Sequence, residues 1–390
     1  MVSSKPYTLR WGIMATGWIA ETFVQDLFTN PATRDVHDVH HEVVAVASSS
    51  SKQKAIDFLT KVKAPSSNIK TYGSYAELVV DPDVDIVYVA TPHSHHFQNA
   101  MLALEAGKNV LCEKALTVTA SQARKLVETA RANNVFFMEA VWTRYFPLSV
   151  KVRELIQSGA IGTVYRTVAD LSLASDAGNG KVSFADSHRM VNPDLAGGAL
   201  LDLGIYALTW VFQSLYHVQP EKDKEAPRAV GAVHKYHTGA DESTSILLQF
   251  PEHKSTGVAL TSLRVDSHSS GVPAIRIQGS AGEIQVMGPA YRPVQFRVVK
   301  KDGDGKAEVV DCPIPKDPER DFGHGMFWEA DECARCIRDG KKESDTLPWS
   351  ESIVIMEVMD SVLKQGGVTY PDLISTDVYD PKSPLNTGKK

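Results

Sequence analysis

The stretch "WGIMATGWIA", Trp11 to Ala20, decides the fold. A short apolar run ends in a tight turn, and apolar residues then recur at helical intervals through "IAETFVQDLFT". This is the shape of a dinucleotide-binding turn between a first strand and a first helix, usually written G-x-G-x-x-G/A. Ala15 holds the first glycine position, and Gly17 and Ala20 fill the other two. Gly17 lets the backbone approach a pyrophosphate, and Ala20 lets helix pack closely on strand. Ala15 serves the turn only if its φ stays negative. The alternative is a glycine turn without a ligand.

Outward from the turn, strands and helices alternate. "HEVVAVASS", "DIVYVATP", "NVLCEKA" and "VFFMEAVW" read as four more strands. Between them lie helices such as "KQKAIDFLTKV", "HFQNAMLALEAGKNV" and "TASQARKLVETARANN", the last with Thr119 as N-cap. The pattern predicts a doubly wound parallel sheet, with its ligand at the carboxyl ends of the strands. After Pro147 the pattern changes. Period-two runs follow, among them "GTVYRTVADLSL", "AVGAVHKYH", "TSILLQFP", "GVALTSLRVD", "AIRIQGS", "EIQVMG" and "VQFRVVK". They predict an α+β domain with a large, mostly antiparallel sheet. The division is expected at 1–145 and 146–390. A closing helix, "SESIVIMEVMDSVLKQGG", takes Ser350 as its expected cap, and the terminal "SPLNTGKK" reads as polar and loose.

The 390 residues suffice for two domains, and 43% hydrophobic with 23% charged residues is ordinary globular composition. The net charge of -6 gives no reason to expect nucleic acid or an anionic membrane as partner. No apolar run is expected to reach membrane-spanning length. The N-terminus lacks the apolar core of a secretory signal, and the chain does not end in Ser-Lys-Leu. Four cysteines do not make a disulfide framework. Cys333 and Cys336 form a C-x-x-C without a second ligand pair, and Phe327, Ala330, Ala334 and Ile337 recur at helical spacing around it, with Gly340 as stop. Two thiols on a buried helix face are expected, with no metal, in a reducing, cytoplasmic setting.

An NAD site usually carries Asp or Glu at the end of the second strand. Here that strand runs into Ser48, Ser49, Ser50 and Ser51, followed by Lys52 and Lys54. No carboxylate is present to repel a 2′-phosphate, while hydroxyls and lysines are available to bind one. NADP is therefore expected over NAD. The other reading is a polar loop and a helix cap.

"NVLCEKALTVTASQARKLVETA", "VDIVYVATPHSHHF" and "AGGALLDLGIY" resemble the motifs of the glucose–fructose oxidoreductase and inositol dehydrogenase family, over nearly the whole chain and in the family's order. "MEAVWTRYFP" and "EKA" resemble its dimeric dihydrodiol dehydrogenases. "FADSHRMVNPDLAGGA" and "STDVYDPKSPLNTG" resemble its fungal NADP-dependent D-xylose 1-dehydrogenases. Ala115 replaces the proline of the family's E-K-P.

The resemblance implies a site. Ala15, Thr16, Gly17, Trp18 and Ile19 would line the cofactor at the turn, with Ser48, Ser49, Ser50 and Lys54 at its 2′-phosphate. Thr91, Pro92, His93 and His96 would contact ribose and nicotinamide, and Glu113 the cofactor's amide or ribose region. Lys114 would lie between nicotinamide and substrate. Asp202 and Tyr206, four apart and so on one helix face, would complete the catalytic set, with Tyr206 taking the proton of a sugar hydroxyl. On spacing alone, Tyr206 reads equally as a core aromatic. Trp142 would stack on sugar or nicotinamide, and Arg144 and Arg189 would reach phosphate or sugar; packing is the alternative for all three.

The implied reaction is oxidation of an aldose at C1, D-xylose foremost, to the lactone, with the sugar bound between the domains. A tight-cofactor aldose–aldose or glucose–fructose type oxidoreductase and a dihydrodiol dehydrogenase are the alternatives, and a non-catalytic NADP sensor ranks last because Lys114 and Tyr206 are present. The period-two runs leave one sheet face too apolar for water, and the resemblance implies the same: a homodimer through that sheet.

Overall fold

The computed structural model describes residues 5–267, 271–302 and 306–388. The chain divides into two compact units, the first made of residues 1–142, 314–352 and 373–390, the second of 143–313 and 353–372. The expected split at residue 145 thus differs from the structure, because two late segments return to the first unit. Local patterning gave no sign of this: a helix that covers a sheet looks the same in sequence wherever its sheet lies.

In the first unit, β1 (Tyr7–Met14), β2 (Val39–Ala47), β3 (Lys70–Tyr72), β4 (Ile86–Val89), β5 (Asn109–Glu113) and β6 (Phe137–Ala140) form one parallel sheet in the order β3-β2-β1-β4-β5-β6. The three-residue edge strand β3 was too short to show a period. Helices α1 (Trp18–Leu27), α2 (Lys52–Lys61), α3 (Tyr75–Val79), α4 (His93–Glu105) and α5 (Ala120–Ala132) connect the strands. Thr119 caps α5 in a full capping box with Gln122. Strand β4 is buried along its whole length, as a central parallel strand must be.

Ala15 overturns one expectation. Its φ is +89°, not negative. The alanine takes the conformation a glycine would adopt freely, at a cost of about 1–2 kcal/mol. Its N–H donates to the Ala47 carbonyl at 3.1 Å, which fixes the turn against the end of β2.

In the second unit, α6 (Pro147–Gln157) precedes β7 (Val164–Asp170) and a small ribbon of β8 (Asp176–Gly178) and β9 (Lys181–Val182). A π-helical turn, Leu200–Gly204, leads into α7 (Ile205–Leu215). Strands β10 (Arg228–Lys235), β11 (Asp241–Phe250), β12 (Ser255–Ser262), β13 (Pro273–Gly279), β14 (Gly282–Met287), β15 (Gln295–Lys300) and β16 (Ala307–Asp311) join β7 in an eight-stranded sheet. Its order is β10-β11-β12-β7-β13-β14-β15-β16, antiparallel except between β12 and β7. Helix α7 packs on β7 and β12. The run Pro193–Leu215 is long and apolar enough to cross a membrane, contrary to the reading of the sequence, but 89% of its apolar window is buried inside the protein. It is a core helix.

The returning segments carry α8 (Phe327–Arg338), α9 (Trp349–Gln365), α10 (Asp372–Ser375) and α11 (Pro384–Thr387). Cys333 and Cys336 are buried on α8, as expected, and Gly340 follows it at φ +74°. Helix α9 begins at Trp349, so Ser350 lies inside its first turn and does not cap it. As far as residue 388 the tail is not loose, and the last two residues of the expected loose end lie outside the described residues. Gln122 donates to the Ile374 and Thr376 carbonyls (2.8 Å each), Gln98 to the Val378 carbonyl (2.8 Å), and Asn99 to the Leu385 carbonyl (3.0 Å). Buried amides on α4 and α5 thus pair the tail's backbone, which a polar tail sequence does not reveal by itself.

Candidate active site

The cofactor end of the site lies along the carboxyl rim of the parallel sheet. Gly17 is the N-cap of α1 and offers no side-chain cap. A Cβ placed there would meet nothing within 4 Å, so the approach to the first-turn N–H groups of α1 is open. Such a helix start attracts an anion through its unpaired N–H groups and dipole. Trp18 beside it is 66% exposed, while Thr16 and Ile19 are half-buried. After β4, the buried hydroxyl of Thr91 has no hydrogen-bond partner among the described residues. An open glycine turn and an orphaned hydroxyl on one rim fit a dinucleotide.

The serine loop divides between the two readings. Ser51 is a helix cap, accepting from the Gln53 N–H at 3.1 Å. Ser50 is exposed and receives the Lys54 ammonium at 3.2 Å, and its N–H donates to Ser48 Oγ at 3.4 Å. Ser49 packs against Gly388 and hydrogen-bonds Tyr75. Ser50 and Lys54 therefore face outward as the pair able to hold a phosphate, and no carboxylate stands among them.

Two expected cofactor contacts are buried and paired within the protein. His96 is buried, with Nδ1 2.9 Å from the Ala115 carbonyl and Nε2 2.9 Å from the Thr91 carbonyl. Burial pushes its pKa down to about 4, so the ring is neutral and tethers the loops after β4 and β5 instead of reaching a ligand. Glu113 is only 4% exposed. Its Oε1 accepts from the Tyr88 hydroxyl and its Oε2 from the Lys114 N–H. It holds the backbone of the Lys114 loop from beneath. His93 lies edge-on to His96 on the first turn of α4, after Pro92. Lys114 is half-buried on this loop. Trp142, at the end of β6, is buried with its ring stacked on His324 at 4.8 Å. Neither Tyr88 nor His324 was singled out in the sequence. Tyr88 was hidden in an apolar strand, and His324 lies in "FGHGM", far along the chain from the rim it joins.

The other candidates lie in the second unit. Asp202 sits in the π-helical turn and Tyr206 in the first turn of α7, both largely buried. Single π-turns inside helices recur at functional positions. Arg189 pairs with Asp202 at 2.9 Å, which places it with the catalytic candidates and not with the phosphates. Tyr206 lies 5.9 Å from Tyr291, ring centre to ring centre. Arg144 is 0% exposed, and its carbonyl accepts from Arg153 at 3.0 Å. It is a packing residue, as a fully buried guanidinium has no surface to offer phosphate. Among the described residues no group of three or more His, Cys, Asp or Glu is placed to hold a metal.

Residues 9–141 match the oxidoreductase family with the NAD-binding Rossmann fold, and residues 149–285 match the GFO/IDH/MocA C-terminal domain. The chain is 68% identical over 394 aligned residues to D-xylose 1-dehydrogenase (NADP(+)) of Hypocrea jecorina, covering 100% of both. It is 37% identical to human trans-1,2-dihydrobenzene-1,2-diol dehydrogenase, covering 93% of this chain and 98% of that one. A levoglucosan dehydrogenase solved with NADH and levoglucosan shares the fold with a TM-score of 0.78 at 16% identity, covering 92% and 97% of the two chains. The family match takes in both units, and this chain belongs to the GFO/IDH/MocA oxidoreductase family.

Proposed function

We propose that this chain oxidises an aldose at C1, D-xylose foremost, to the lactone, using NADP. The observation that carries this reading is the 68% identity, over the full length of both chains, with an enzyme named for that substrate and cofactor. The outward Ser50–Lys54 pair, free of carboxylates, supports the choice of NADP. When bound, NADP supplies the hydride acceptor, its nicotinamide C4. The start of α1 at Gly17 and Trp18 binds the pyrophosphate, the Ser48–Lys54 loop binds the 2′-phosphate, and Thr91 donates its hydroxyl at the nicotinamide end. Glu113 and His96 fix the loops on which Lys114 and Thr91 stand. Lys114 and Tyr206 manage the proton of the anomeric hydroxyl: Tyr206, entering as the phenolate, would receive it and become the phenol, and the ammonium of Lys114 would stabilise the negative charge on the sugar oxygen. Asp202, paired with Arg189, orients the sugar. Measuring NADP reduction against a panel of aldoses and aromatic diols tests the reading. Turnover of diols alone would favour the second reading, suggested by the 37% identity to the human diol dehydrogenase.

The assembly we infer is a homodimer through the open face of the eight-stranded sheet. Val230, Leu247, Val258 and Val168 stand side by side on four neighbouring strands. Leu247 is 39% exposed, whereas Leu248 is 0% exposed and faces the core. A row of this kind suits a self-complementary two-fold interface. Leu247→Asp should yield monomers in sedimentation equilibrium with NADP binding retained; a wild-type monomer at micromolar concentration would reject the dimer. The four thiols, all unpaired, support a reducing, cytoplasmic location.

A further inference from the structure

Three rings stand in a row on the carboxyl rim. Trp18 follows the glycine turn after β1, and Trp142 follows β6, so between them lie the ends of β4 and β5. His324 touches both: its ring is stacked on Trp142 at 4.8 Å and 23°, and it meets Trp18 edge-on at 6.2 Å and 90°. A residue from the last quarter of the chain thus stands on the stretch of rim between the pyrophosphate turn and the end of β6, the stretch that takes in the ends of β4 and β5.

The backbone that carries His324 is held with unusual firmness. Asp26, buried on α1, accepts the N–H of His324 (2.7 Å), Gly325 (2.8 Å) and Met326 (2.6 Å). Gly325 makes the bend at φ +107°, a conformation open to glycine. Three donors on one carboxylate fix the direction in which the segment leaves for α8. Burying that carboxylate without a cation is costly, and it raises the Asp26 pKa to about 6. Such a cost is retained where a segment has to be placed accurately.

We propose that His324 is a contact to the bound dinucleotide, at the stretch between its pyrophosphate and its nicotinamide ribose, and that Asp26 is the positioning residue acting through it. The imidazole is half-buried, with Trp142 behind it, and can donate a hydrogen bond to ribose or phosphate oxygen. This inference rests on the NADP reading above.

The test is equilibrium binding of NADPH, by calorimetry on the full chain, without substrate. His324→Ala should raise Kd about tenfold, as loss of one well-placed hydrogen bond to a charged or polar ligand does. Asp26→Asn should weaken binding in the wild-type background but add nothing to His324→Ala, since it acts through the same side chain. The ratio of NADPH to NADH affinity should not change, because the Ser48–Lys54 loop is untouched. A Kd for His324→Ala within about twofold of wild type would overturn the proposal, and so would additivity of the two substitutions. If Asp26→Asn does not fold, His324→Ala and His324→Phe decide it: Phe keeps the stacking and lacks the donor, and should bind as weakly as Ala. Failure of the wild type to bind NADPH at all would overturn both this inference and the NADP reading.

Discussion

In each unit a buried aspartate holds the backbone beside candidate site residues, and the two are not satisfied alike. In the first unit Asp26 accepts three backbone N–H groups leading into His324 and α8. In the second, Asp241 accepts the Leu200 N–H at 2.7 Å, at the start of the π-turn that bears Asp202, while its other oxygen has no partner among the described residues. A Cβ at Gly198 would fall 1.9 Å from that oxygen, so glycine is required there. Burial raises both pKa values to about 6. The same device thus works with a saturated carboxylate and with an undersaturated one. Both carboxylates fix main chain that leads to a candidate site residue through main-chain donors, and among the described residues neither carboxylate is in a salt bridge.

The largest expected effect is on turnover, at one candidate residue in each unit. Lys114→Ala and Tyr206→Phe should each cut turnover by about two or more orders of magnitude while leaving NADP affinity largely intact. Near-normal kcat in Tyr206→Phe would remove it from the proton's path.

The next effect is on stability, and its sign follows from the raised pKa. An acid raised from 3.8 to about 6 holds its proton more tightly folded than unfolded. Its contribution is fully present below about pH 4 and is lost as pH rises through about 6. At about 1.4 kcal/mol per unit, the swing is about 3 kcal/mol. In Asp241→Asn that swing is absent, so the stability of wild type relative to the variant should fall by this amount between about pH 4 and about pH 7 in denaturant titrations. A constant difference would contradict the assignment.

How much of this was legible in the sequence differs between the units. All strands of the parallel sheet but the short β3 are legible, because their buried runs alternate with helical periods, one of them opened by the cap Thr119. The period-two runs of the second unit were equally clear. What local pattern did not carry were the returns: α8, the tail bound by Gln98, Asn99 and Gln122, and hence His324. Lys114 and Thr91 lie just past the ends of β5 and β4, on the rim where the sequence places them and where this fold binds ligands. His96, Glu113 and Arg144 turn inward, which residue type alone does not show at a rim.

A smaller effect sharpens the cofactor end. Ser50→Asp should engage Lys54 and repel a 2′-phosphate, lowering the preference for NADP over NAD by about tenfold. Lys54→Glu should act in the same direction, and an unchanged preference in both would move the 2′-phosphate site elsewhere.

The smallest effect concerns a third buried acid. Glu329 has no partner for either oxygen among the described residues, and burial next to Glu113 and Asp26 pushes its pKa well above the usual carboxyl range. With the protonated form favoured, Glu329→Gln, its neutral isostere, should change the unfolding free energy by no more than about 0.5 kcal/mol in denaturant titrations. A large loss would contradict the upward shift.

The most direct test of the account is the specificity constant of the purified chain for D-xylose oxidation with NADP and with NAD. Measurable turnover of D-xylose and a higher kcat/KM with NADP are expected. A higher kcat/KM with NAD, or no oxidation of any aldose with either cofactor, would contradict it.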